Sequence, residues 1–255
     1  MFALPSLGRS LHRRALAFWT RAAEEADTTP LEDLSQRQEE AAALLARLSD
    51  FHHRADERLT HPRVGVDQIA VPGGTDWSWR PYAMRGPIAP RGIVAVETRT
   101  EVAPQLTLFH DCDRSELSIL QVRNRDDSDL APYGLRMDVF RFDGTFLSLV
   151  LDLPASATDG LSQRHIVRLS LRIALERRAE VFARLNIKHG PNTEKMLREI
   201  PDPNGDVVVE FDLAYTDMNE RRVEGAWLDL IFEGAEMNQI TLRDISLCRY
   251  PRAEI

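Results

Sequence analysis

The strongest constraint on this chain is a run of short segments, from about Leu117 to Arg249, in which apolar and polar side chains alternate. A period of two is the signature of a half-buried β-strand. In Thr145–Leu153, Leu147, Leu149, Leu151 and Leu153 share one face. In Ile166–Leu175, Val167, Leu169, Leu171, Ile173 and Leu175 do the same, with Arg168, Ser170 and Arg172 opposite. In Glu180–Lys188, Val181, Ala183, Leu185 and Ile187 face one way, and Phe182, Arg184, Asn186 and Lys188 the other. Val207–Tyr215 puts Val207, Val209, Phe211, Leu213 and Tyr215 on one face. A slip of one residue would invert each face, so the register is well specified.

Other segments are less regular. Leu117–Arg123, Leu135–Phe142 and Trp227–Phe232 are apolar on both faces, as in central strands that are covered on both sides. In Ile240–Arg249 the phase breaks between Leu242 and Ile245, which predicts a bulge near Arg243–Asp244. With weaker segments at Ile93–Glu97 and Leu106–His110, roughly nine or ten strands are expected. Phe142-Asp143-Gly144, Asp159-Gly160 and Pro203-Asn204-Gly205-Asp206 are turn signals between them. Helical segments do not alternate with the strands, which excludes a parallel α/β sheet. The fold class is mainly β: an antiparallel β-sandwich of jelly-roll type with an N-terminal helical segment.

Residues 1–62 are rich in Ala, Leu, Arg and Glu and favour helix. Gly8–Ala26 is one candidate, and Pro30–His61 a second with Thr29 as N-cap, or Asp27 or Thr28 if it starts a little earlier. In the second, Leu34, Ala41, Leu44, Leu45 and Leu48 form a narrow stripe that needs a partner: the first helix, the sandwich or a second copy. Phe2–Ala23 carries Arg9, Arg13, Arg14 and Arg21, with Leu7, Leu11, Ala15, Phe18 and Trp19 near one face. It reads either as a helix packed on the domain or as a basic amphipathic helix on an anionic membrane surface. Residues 63–92 are rich in Pro and Gly and read as an ordered arm, with residues 93–255 as the sandwich domain.

The 255 residues include 43% hydrophobic side chains, enough for a sizeable core. A net charge of −8 argues against general nucleic-acid binding. Two cysteines, Cys112 and Cys248, make no disulfide framework. The N-terminus lacks the uninterrupted apolar stretch of a secretory signal, so the expected location is cytoplasmic, or peripheral to the inner membrane.

Candidate chemistry is sparse. His110-Asp111-Cys112-Asp113 gathers four metal-ligand types, but alternate residues on a strand face apart and no second cluster completes a site. No metal or cofactor is expected. A hydrolase drawn from Cys112 with His165 or His189 lacks a nucleophile motif. His189-Gly190-Pro191-Asn192-Thr193 precedes Glu194–Ile200, read as a short helix whose N-terminus either holds an anion or is capped by Asn192 or Thr193. Trp77 and Trp79 share a face if extended, and suit either stacking on a sugar or anchoring the arm. Pairing Val167–Leu175 with Val181–Ile187 as a hairpin sets Arg172 opposite Phe182, Ser170 opposite Arg184 and Arg168 opposite Asn186. That basic surface would suit an acidic or phosphorylated sugar, with Phe182 as a platform.

Trp77-Ser78-Trp79-Arg80-Pro81, Phe109-His110-Asp111-Cys112, Phe142–Ser148, His189–Thr193 and Val223–Phe232 with Asn238 and Arg243-Asp244 carry a resemblance. The pattern resembles an uncharacterised alphaproteobacterial family, a domain of unknown function, to which no activity or binding residue is attached. The strand run is also similar to jelly-roll carbohydrate-binding modules. Two functions are therefore expected: a non-catalytic binder of a glycan or anionic sugar, or an adaptor. The adaptor would use residues 1–62 for self-association, partner binding or membrane attachment.

Overall fold

A computed structural model describes residues 6–60, 69–126 and 128–253. The chain divides into two compact units, Met1–Arg54 and Ala55–Ile255. The expected boundary at residue 62 lies outside the described residues.

The first unit contains helix α1 (Ser6–Glu24), and helix α2 (Leu31–Thr60) begins in it. Between the helices the Thr29 amide donates to the Glu25 carbonyl at 3.0 Å. The Thr29 hydroxyl donates to the same carbonyl at 2.8 Å, so it closes α1 instead of capping α2 as expected. The Pro30 carbonyl accepts the first bond of α2, from the Leu34 amide at 2.9 Å. The stripe on α2 is exposed at Leu44, Leu45 and Leu48.

The second unit is a β-sandwich with thirteen strands among the described residues, not nine or ten. In chain order they are β1 (Trp77–Trp79), β2 (Gly92–Val94), β3 (Thr100–Ala103), β4 (Leu106–His110) and β5 (Leu117–Arg123), with a one-turn helix α3 (Tyr82–Arg85) after β1. There follow β6 (Tyr133–Val139), β7 (Leu147–Asp152), β8 (His165–Leu175), β9 (Glu180–His189), β10 (Asn192–Ile200), β11 (Gly205–Asp212), β12 (Val223–Glu233) and β13 (Asn238–Pro251). One sheet has the order β11-β8-β13-β6-β5-β2, with β1 also pairing β13; the other has the order β10-β9-β12-β7-β4-β3. Every pairing is antiparallel.

The alternating segments place their apolar sets in one core between the sheets. Leu169, Leu171, Ile173, Leu135 and Leu247 come from the seven-stranded sheet, and Leu149, Leu151, Leu185, Ile187 and Leu228 from the six-stranded one. The expected bulge is present: the register of β13 on β8 shifts between Leu242 and Asp244. Arg80, buried at 3% exposure, grips that bulge through two 2.8 Å bonds to the Asp244 carboxylate. Gly134 lies against it, where an added Cβ would sit 2.6 Å from the Leu242 carbonyl oxygen.

Three expectations are corrected. Glu194–Ile200 is not a helix but part of β10, which folds back on β9 through Gly190-Pro191. Gly190 has φ +58 at the first turn position, where a type II′ hairpin requires glycine. Val207–Tyr215 ends as a strand at Asp212, whose side chain caps a 3₁₀ turn, and Tyr215 is exposed. Third, β8 and β9 are consecutive but belong to opposite sheets, so the expected hairpin does not form. Both apolar faces point inward across the core, and the connection arches from one sheet to the other. Buried Asn238 holds that arch by accepting from the Arg177 amide and donating to the Arg177 carbonyl, each at 2.9 Å.

Candidate functional site

The outer face of the six-stranded sheet is built by strand register. One row across it runs Phe182, Ile231, Ser148, Phe109; the next runs Leu197, Arg184, Asp229, Val150, Thr107; a third runs Lys195, Asn186, Trp227, Asp152. Residues opposite one another in such rows lie within side-chain reach. Phe109, Phe146, Ser148, Val150, Arg184, Asn186, Lys195, Trp227, Asp229 and Ile231 line a recess of about 530 Å³.

Asp229 is the polar centre of this face and is almost fully buried. Its Oδ2 accepts from Arg184 Nε at 2.7 Å and from Asn186 Nδ2 at 2.9 Å, and Arg184 Nη2 lies 2.7 Å from the same oxygen. A buried carboxylate is tolerated when paired and hydrogen-bonded in this way. These three contacts fall on one oxygen, and the Arg184 side chain stays 40% exposed. Ser148 Oγ is buried without a hydrogen-bond partner beside the two phenylalanines. Lys195 is exposed at the margin.

The sequence-predicted residues separate into three groups. Phe182, Arg184 and Asn186 share this outer face, as expected. Arg168 and Arg172 lie on the outer face of the other sheet, so the three arginines do not form one basic surface. Arg172 is also committed: it bonds both Asp206 oxygens at 2.7 and 2.9 Å and donates to Ser128 and Asp129. Arg168 stands opposite Glu210 in the register. Acids therefore stand beside both arginines, Asp206 and Asp129 at Arg172 and Glu210 opposite Arg168. Trp77 and Trp79 belong to the seven-stranded sheet through β1 and pack against the core, and Trp77 Nε1 donates to Ser156 Oγ at 3.1 Å.

The remaining candidates are occupied by structural bonds. His110 Nε2 lies 2.8 Å from the Val96 carbonyl oxygen, and its Nδ1 accepts from the Cys112 amide at 3.2 Å. The Asp111 carboxylate accepts from the Thr145 amide and hydroxyl and from the Phe146 amide. Among the described residues no three potential metal ligands gather. Burial pushes the Cys112 and Cys248 thiols up from their ordinary value, away from the thiolate that a nucleophile needs. His165 Nε2 faces Asp76, and His189 Nδ1 accepts from the Asn219 amide.

Sequence reasoning missed Phe109, Phe146, Trp227 and Asp229 as neighbours. One signal was present: an acid, Asp229, inside a segment apolar on both faces.

Among solved structures, a family 11 carbohydrate-binding module from Clostridium thermocellum in complex with a mixed-linked tetrasaccharide aligns with a TM-score of 0.39. The identity is 11%, over 63% of this chain and 97% of that one. The CBM22-1 xylan-binding domain of Paenibacillus barcinonensis Xyn10C aligns at 0.38 and 11% identity, over 62% and 100%. The enzymatically active domain of bacteriophage CBA120 tailspike protein 4 aligns at 0.40 and 8% identity; the match covers 56% of this chain and 19% of that one. No curated protein sequence matches. Residues 4–255, nearly the whole chain, match one family, and the protein belongs to it: DUF6478, a family of unknown function.

Proposed function

We propose that this protein is a non-catalytic sandwich that binds a glycan on the outer face of its six-stranded sheet. The observation that carries this is the recess where Phe109, Phe146 and Trp227 stand beside Arg184, Asn186, Lys195 and Asp229. A sugar ring has apolar C–H faces and a rim of hydroxyls. Aromatic surfaces suit the first, and a few placed donors and acceptors suit the second. The recess falls within the range of small-molecule sites, roughly 300–1,000 Å³. Arg184 is held by buried Asp229 and its side chain is 40% exposed, so this donor needs no rearrangement before meeting a hydroxyl. Pre-organised polar groups lower the cost of binding.

The test is affinity electrophoresis of the full chain through gels containing different soluble polysaccharides. At least one should retard the protein, and Trp227→Ala should weaken that retardation at least about tenfold, corresponding to about 1.4 kcal/mol. A wild-type protein retarded by none, or a Trp227→Ala variant retarded like the wild type with an unchanged melt, would sink the proposal.

A further inference from the structure

Helix α1 differs from the rest of the chain in charge. It carries Arg9, Arg13, Arg14 and Arg21 against a single acid, Glu24, in a protein of net charge −8. At about 100° per residue, Leu11, Ala15, Phe18, Trp19 and Ala22 fall on one arc. Arg14 and Arg21 fall along one margin of that arc, and Arg13 on the far side. Much of the arc is uncovered: Leu11 is 60% exposed and Phe18 50%, Ala15 is exposed too, and Trp19 and Ala22 are half-buried. The Phe18 and Trp19 rings meet edge to face at 5.1 Å. Arg14 and Arg21 are exposed and have no acidic partner among the described residues.

An occupant of this face must be apolar in depth and anionic at its boundary. A bilayer with anionic headgroups presents both in that order. Hydrocarbon meets Leu11 and Phe18, the interface meets Trp19, and lipid phosphates meet Arg14 and Arg21. A second α1 laid antiparallel against the first would set arginine margins against each other. At 19 residues α1 is about 28 Å long, and no helix among the described residues is apolar enough to cross a membrane. We infer that α1 is a membrane-surface anchor that lies flat in the headgroup layer of an anionic bilayer.

The full chain is sedimented with vesicles of phosphatidylcholine, with and without phosphatidylglycerol. It should pellet with the anionic vesicles, stay soluble with the neutral ones, and be partly released by salt. Phe18→Glu should remove binding. Arg14→Ala combined with Arg21→Ala should weaken it roughly thirtyfold, at about 1 kcal/mol per arginine. These side chains are exposed, so a thermal melt should show the variants folded. The inference falls if the wild type ignores anionic vesicles, or if Phe18→Glu binds as the wild type does. It also falls if ultracentrifugation shows a dimer that Phe18→Glu dissolves while vesicles capture nothing; α2 of a second copy would then be the occupant. Polysaccharide retardation by the outer sheet face stands or falls separately.

Discussion

Replacing Arg80 with methionine removes a charge and keeps an apolar stem. It leaves the Asp244 carboxylate at the β13 bulge without its partner. The Arg80 and Asp244 side chains are 2% and 13% exposed, and two bonds of 2.8 Å join them. Removing one member of a buried pair costs about 3–5 kcal/mol, because the other charge stays desolvated. Asp244 keeps some access to water, so the lower end applies, about 3 kcal/mol. For a unit of this size that is a fall in melting temperature of roughly 6–12 °C. Near-ultraviolet circular dichroism during a thermal scan follows the tertiary packing. The pair itself is isolated by a cycle with Asp244→Leu. The double variant should be more stable than Arg80→Met alone, since no unpaired charge remains. An Arg80→Met melt within about 2 °C of the wild type, or a double variant less stable than both single ones, would refute this reasoning.

Two further outcomes are expected. The hydrogen bonds from the Arg172 guanidinium hold the Asp206 carboxyl below the usual carboxylate range. Its stabilising contribution is then complete above the unfolded carboxylate value and lost as pH falls through the lower folded value. Asp206→Asn should flatten the acid limb of a stability–pH curve below about pH 4 and leave its slope near neutrality unchanged; an acid limb identical to the wild type counts against it. Gly134→Ala would drive a Cβ against backbone at Leu242 and Arg243, and should cost about 1–3 kcal/mol in urea unfolding. A midpoint unmoved by that substitution would mean the bulge shifts freely.

Much of the sandwich was legible because alternation fixes which face of a strand is buried. Leu169, Leu171 and Ile173, and likewise Val181, Ala183 and Leu185, are inward as their spacing required. Alternation does not say which strand pairs with which. A four-residue link from β8 to β9 fits either a hairpin or an arch between sheets, and the apolar faces read the same in both. The arch follows from pairings made far along the chain, β8 with β13 and β9 with β12, and Asn238, about sixty residues further on, bonds it; no local pattern reports either. Glu194–Glu199 consists mostly of good helix formers, yet pairing with β9 makes it strand; cross-strand contacts outweigh propensities worth a few tenths of a kcal/mol per residue. The candidate site was half legible for the same reason. Phe182, Arg184 and Asn186 were visibly outward, but Trp227, Phe109 and Phe146 join them only through pairings made far along the chain.

The place of β13 has a consequence for how the protein is made. It is the last strand among the described residues, yet it lies between β8 and β6 and also receives β1. During synthesis those three strands emerge long before their shared neighbour. Until Asn238–Pro251 has been translated, the sheet exists as two fragments, β11-β8 and β6-β5-β2, each with an open edge next to apolar side chains. Such edges invite pairing with other chains. A chain truncated before Asn238 would therefore hold most of the strands but lack the one that joins them, and should aggregate where the full chain stays soluble.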